Sequence, residues 1–196
     1  MRPDLQLLES WIEPGSRVLD LGCGDGAFLA WLQRNKQVRG VGLEIDTDHI
    51  QACLEAGVNV IEQNMEGGLG NFEDGSFDTV VLAQTLQALH KPRDTLMEML
   101  RVGKKCILSF PNFAYWRHRL YLLGNGRMPK SKTIPYEWYD TPNLHHCTIN
   151  DFERLCASEN IRILDRRVVD AENRSSLAMK VHPNLFGINA VYHITR

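Results

Sequence analysis

None of the five cysteines, Cys23, Cys53, Cys106, Cys147 and Cys156, stands in a CxxC pair, so neither a zinc ligand set nor a thioredoxin-like motif is written in the chain. Free thiols of a reducing, cytoplasmic compartment are the expectation, with no metal. Long apolar runs are absent too: nothing approaches the roughly 20 residues of a membrane span. Met1 to Asp4 carries neither the charged nor the apolar region of a signal peptide. A strong charge of either sign is also missing. With 22 basic against 24 acidic residues and a net charge of −2, there is no global field to hold nucleic acid or an anionic membrane. Partners are therefore expected to be small molecules or proteins. Internal repeats and low-complexity segments are lacking, and 196 residues with 43% hydrophobic and 23% charged side chains suit one globular domain over 1–196.

What is present is an alternation. Pro3, then Leu5, Leu8, Trp11 and Ile12 at helical spacing, predict an opening amphipathic helix that Pro14 and Gly15 stop. Short apolar segments rich in β-branched residues follow at Arg17 to Leu21, Val38 to Leu43, Val58 to Ile61, Phe77 to Leu82 and Lys105 to Phe110. Helices are predicted between them at Gly26 to Arg34, Thr47 to Ala56 and Arg93 to Val102. The βαβα order implies an α/β fold with a doubly wound, mostly parallel sheet. From Phe113 to Asn143 the pattern breaks into interleaved aromatic and basic residues with Gly124, Gly126, Pro129, Pro135 and Pro142, which reads as a lid or insertion. Beyond it, Thr148 or Asn150 can cap a helix to about Ser158, and Ile161 to Val169 reads as a strand. Ile188, Ala190, Tyr192 and Ile194 alternate on one face of a half-buried final strand.

The segment RVLDLGCGDGAFLAWL, Arg17 to Leu32, joins a buried strand, an acid near its end, three alternate glycines and a helix. Gly22, Gly24 and Gly26 let the backbone turn sharply and approach a ligand where a Cβ would collide. Pyrophosphate-binding folds use a related GxGxxG turn, but here the glycines run GxGxG behind Asp20. That carboxylate would repel a pyrophosphate and attract the ammonium of a sulfonium amino acid. S-adenosylmethionine, or S-adenosylhomocysteine, is therefore favoured over a dinucleotide. Glu44 ends the second predicted strand about 20 residues past the loop, where a carboxylate accepts from two vicinal ribose hydroxyls. Asp46 reads instead as a turn or helix-cap residue.

These residues resemble the class I methyltransferases, whose pattern implies a seven-stranded sheet with an antiparallel last strand. The resemblance places the adenine amino group at Asn64, the adenine edge at the Met65 backbone, the ring face at Ile45, and the methionine end at Ala83 and Gln84. Asn64 stands where the family usually has aspartate, so its amide oxygen accepts without charge assistance. FEDGSFDTVVL, Phe72 to Leu82, matches the family's turn into the fourth strand. More narrowly, MRPDLQLL, LAQTLQAL, SFPNFAYWRHR, GRMPKSKTIPYEWYDTPNLHHCTINDF and NLFGINAVY are similar to the MetW family. That similarity implies an accessory role in methionine biosynthesis alongside a homoserine O-acyltransferase (MetX). The alternative is a true methyltransferase acting on a small-molecule or protein acceptor.

In the lid, Trp116, Leu120 and Leu123 follow helical spacing and read as packing residues, while Arg127, Trp138 and their basic and aromatic neighbours suit a partner or substrate surface. His145 and His146 follow it, and each is either a general base or a structural histidine. The same choice applies to His90, His118, Tyr136, Tyr139 and Asp140. Cys23, inside the loop, reads as a small side chain packed under the turn.

Overall fold

The computed structural model describes residues 5–131 and 134–196. Its elements follow the alternation: α1 (Leu5–Glu9), β1 (Arg17–Leu21), α2 (Ala27–Lys36), β2 (Arg39–Glu44), α3 (Thr47–Glu55), β3 (Asn59–Glu62), β4 (Phe77–Ala83), α4 (Pro92–Val102), β5 (Gly103–Pro111), α5 (Trp116–Asn125), α6 (Ile149–Ser158), β6 (Arg162–Val169), α7 (Leu177–Val181), α8 (Pro183–Phe186) and β7 (Asn189–Thr195). The seven strands form one sheet in the order β3-β2-β1-β4-β5-β7-β6. β7 runs antiparallel to both β5 and β6, and the pairs from β3 to β5 are parallel. The strand order reverses between β1 and β4, which opens a crevice at their carboxyl ends.

Alternation along the strands divides the core between two faces. Val18, Val81, Ile107 and Val191 pack with α1, α2 and α3, whereas Leu19, Val80, Leu82, Leu108 and Tyr192 pack with α4 and α6. In β2 the first face is left to Gly40 and Gly42. A Cβ on Gly42 would lie 2.4 Å from Cys23 Sγ, so this glycine makes the room in which the thiol is buried. Asp78 staples the opposite ends of the central strands, accepting from Arg17 N at 2.9 Å and from Lys104 Nζ at 2.8 Å.

Several elements differ from the sequence expectation. Pro3 lies outside the described residues, and the opening helix ends at Glu9. Trp11 N and Ile12 N then donate to Leu8 O and Glu9 O in tighter turns. Leu5, Leu8 and Ile12 are still buried, and Trp11 stacks on His193 with ring centroids 5.3 Å apart. The final strand is buried on both faces, not half-buried. It is inserted between β5 and β6, so Val191 and His193 on one face are buried as well as Ala190 and Tyr192 on the other. Thr148 rather than Asn150 caps α6, its Oγ1 accepting from Asp151 N at 3.1 Å. Leu120 and Leu123 on α5 do not pack. Leu123 is 83% exposed, and His118 is the helix's buried residue.

Candidate functional site

β1 stops at Leu21 and the chain folds over the end of β2, with Gly22 N and Cys23 N both donating to Leu43 O at 2.8 and 3.1 Å. Gly22, Gly24 and Gly26 all have positive φ, at 71°, 56° and 71°. Their uses differ. Gly24 faces open space where an added Cβ would meet nothing within 4 Å, whereas a Cβ on Gly26 would lie 2.8 Å from Cys53 Sγ. Gly24 therefore keeps a cradle empty, and Gly26 lets α2 start against α3.

The cradle belongs to a cavity of about 1060 Å³ at the crevice between β1 and β4. Asp20, Gly22, Cys23, Gly24, Glu44, Ile45, Asn64, Met65, Ala83 and Gln84 all line it; Gly26 does not. Glu44 is buried at its rim and ties the loop to β2. Its Oε2 accepts from Gly24 N at 2.8 Å, and its Oε1 accepts from Ile45 N at 2.8 Å and Asp46 N at 3.1 Å. Ile45 stands 63% exposed beside it, an apolar surface turned to the opening. Asn64 Oδ1 accepts from Glu66 N at 2.9 Å and caps the short turn Met65–Gly67. One of its lone pairs is thus already used. Asp46 caps α3, accepting from Asp48 N and His49 N, and also lines the cavity.

Charge in the cavity is one-sided. Asp20, Asp25, Glu44, Asp46 and Glu66 line it, and among the described residues no Lys or Arg does. Burial works to raise the Glu66 carboxyl, but the Lys91 N–H and the His90 ring outweigh it and hold it below its ordinary value. The Cys23 thiol is pushed far up, first by burial and then by the Asp20 charge. Its Sγ lies 3.7 Å from Cys53 Sγ. This is an inert packing pair rather than a nucleophile.

Sequence reasoning missed part of the wall. Thr85, Ala88, Leu89 and Pro142 extend the cavity past the end of β4, and of the residues weighed as a base or a structural group His90 is the one that joins them. His90 Nδ1 lies 3.1 Å from Glu66 Oε2, a pairing between loops that no local motif announces. His145 and His146 do not reach the cavity. His145 N donates to Gln87 O at 3.0 Å, and the His146 ring stacks on Phe113 at 4.4 Å. Burial first, and then His145, lowers the His146 pKa. Among the described residues no cluster of His, Cys, Asp and Glu could hold a metal, and no helix is long and apolar enough to cross a membrane.

The chain is similar to known proteins over nearly its whole length. The model of the family described as methionine biosynthesis protein MetW matches residues 2–194. The bifunctional methionine biosynthesis protein MetXA/MetW of Rhodopirellula baltica is 36% identical over 189 residues, which are 92% of this chain and 30% of that protein. The chain thus spans about a third of that relative's length. Among solved structures, a SAM-dependent methyltransferase from Archaeoglobus fulgidus superposes with a TM-score of 0.70 at 16% identity, covering 98% of this chain and 91% of that one. An S-adenosylmethionine-dependent methyltransferase from Mesorhizobium loti gives 0.70 at 16%, covering 100% and 98%. The fold is that of the class I methyltransferases.

Proposed function

From the premise that the chain belongs to the MetW family of methionine biosynthesis proteins, and from the charge of its cavity, we propose that it binds S-adenosylmethionine or S-adenosylhomocysteine. In this reading it acts in methionine biosynthesis as an accessory partner of a homoserine O-acyltransferase. The observation that carries the ligand is the one-sided wall. Five carboxylates without a facing Lys or Arg repel the phosphates of a dinucleotide and attract an amino acid bearing a sulfonium and an ammonium. The Gly24 cradle and the exposed Ile45 face fit the same molecule. Asp20 would meet the ammonium, Glu44 the ribose hydroxyls, Ile45 and Met65 the base, Asn64 its amino group, and Ala83 with Gln84 the methionine end. The bound group supplies a methyl activated by positive sulfur. The partner is suggested by the Rhodopirellula protein, whose name joins MetXA with MetW in one chain. The surface that suits it is the lid, about 113–143, where α5 and the segment after it expose Leu120, Leu123, Trp138 and Tyr139. Calorimetry with both ligands, and co-purification with the acyltransferase, test the two halves separately. Absence of binding at millimolar ligand sinks the first.

A second reading is methyl transfer to a small-molecule or protein acceptor, and His90 favours it. Glu66 fixes one ring nitrogen and leaves the other to take a proton at the cavity's far wall. A labelled-methyl assay on cell extract, with His90→Ala as control, separates this from the accessory role. Label transferred by the wild type and lost in the variant would establish it.

A further inference from the structure

A buried residue, Gln87, joins the cavity wall to the segment that follows the exposed aromatics. Gln87 is 7% exposed, in the turn Leu86–Ala88 just past β4. Its Nε2 donates to Gln84 O at 2.7 Å, and its own backbone oxygen accepts from Leu144 N at 2.9 Å and His145 N at 3.0 Å. Gln84 lines the cavity with φ +56°, a left-handed conformation that a non-glycine residue holds only under constraint. The constraint is visible: Gln84 N donates to Ser109 O at 3.0 Å and lies 3.1 Å from Ser109 Oγ. Leu144 and His145 close the stretch that presents Trp138, 74% exposed, and Tyr139 to solvent. Leu144 and His145, Gln87 and the cavity wall thus form one hydrogen-bonded path, with Trp138 on the same stretch of chain.

Gln87 carries a cost that packing alone would not accept. Its Oε1 is buried without a hydrogen-bond partner among the described residues, a cost that a leucine of similar size would not carry in its own side chain. What the amide provides in return is the donor to Gln84 O. We propose that Gln87 is a positioning residue that couples occupancy of the cavity to the order of segment 134–145, and so to the surface offered to a partner. The inference rests on the cavity being the S-adenosylmethionine site. A ligand against Ala83 and Gln84 stabilises the strained peptide, the Gln87 amide holds to its carbonyl, and the Gln87 oxygen holds Leu144 and His145. Coupling of this kind is an equilibrium quantity and needs no large movement.

The test is hydrogen exchange on the full chain with S-adenosylhomocysteine as probe, beside calorimetry on the same samples. In the wild type, saturating ligand should slow exchange of the Leu144 and His145 amides about tenfold. In Gln87→Leu, and in Gln87→Met as a second donor-free variant of matched length, the ligand should still bind while the protection falls below about twofold. A purely structural role would change ligand-free exchange and melting temperature but not this difference. Binding without protection in the wild type overturns the coupling. Equal protection in both variants also overturns it and transfers the effect to Pro142, which touches the cavity from the same segment. No binding in the wild type is a separate result, which removes the ligand reading itself.

Discussion

Glu44 accepts from both the glycine loop and the start of the next turn, so its carboxylate is held rigid before any ligand arrives. Glu44→Ala should weaken S-adenosylhomocysteine binding by about 100-fold, the loss of hydrogen bonds to a charged acceptor, with calorimetry as the measurement. Asn64→Asp acts in the other direction. Aspartate can keep the cap on Glu66 N, and a charged acceptor for an amino group is stronger by about 1 kcal/mol, or roughly fivefold in Kd. S-adenosylhomocysteine, which lacks the sulfonium charge, is the ligand to use, because tightening then reports on the adenine rather than on cavity charge. Unchanged or weaker affinity would move the adenine away from Asn64. Glu44 could be read from sequence as an acid ending the second strand about 20 residues past the glycine loop, whereas Asn64 followed only from the resemblance to the methyltransferase pattern. Gln87 and Glu66 could not be read there, and His90, named only as one of several candidates, gave no sign that it pairs with Glu66 24 residues away.

At the scale of elements, Asp78 shows how a single carboxylate locks strand ends. The Lys104 ammonium, and after it the Arg17 N–H, hold its pKa down to about 2 from an ordinary 3.8. A depressed carboxylate stabilises the fold above its ordinary value, and this contribution is lost as pH falls through the folded value. Asp78→Asn should therefore lower the melting temperature at pH 7, and the gap from wild type should close between about pH 4 and pH 2. A gap that persists unchanged at pH 2 would assign the effect to packing instead. α5 makes a different point. Its helical spacing was readable, but spacing says where an apolar stripe lies and not whether anything covers it. Leu120 and Leu123 were expected inside and are open to solvent. If the lid surface, of which α5 is one part, seats the acyltransferase, Trp138→Ala or Arg127→Ala in the segment after α5 should weaken co-purification about tenfold or more while ligand affinity stays within twofold. Trp116→Ala, in a half-buried ring beneath Arg117, should not. Normal assembly with both variants would take these residues out of the interface.

For the whole molecule, strand positions up to β5 were readable because a parallel sheet buries its strands and writes them as apolar runs between helices. The insertion of β7 between β5 and β6 was not, because alternation in one segment carries no information about its neighbours. Nor was the helical content of 170–188, where short α7 and α8 lack a long periodic stripe. That insertion has a consequence for the order in which the fold can be made. β6 leaves the ribosome before β7, yet its sheet partner is β7 alone. Until Asn189–Thr195 has emerged, β6 has no edge to join and β5 presents an open one. Tyr192, which stacks on Phe110 and meets Phe152 at a tilt, arrives with the same segment. A nascent chain halted after β6 is then a half-built sheet with a sticky margin, the kind of species that chaperones bind. Protease resistance of stalled chains should appear abruptly once β7 is clear of the exit tunnel, rather than rising with each added strand.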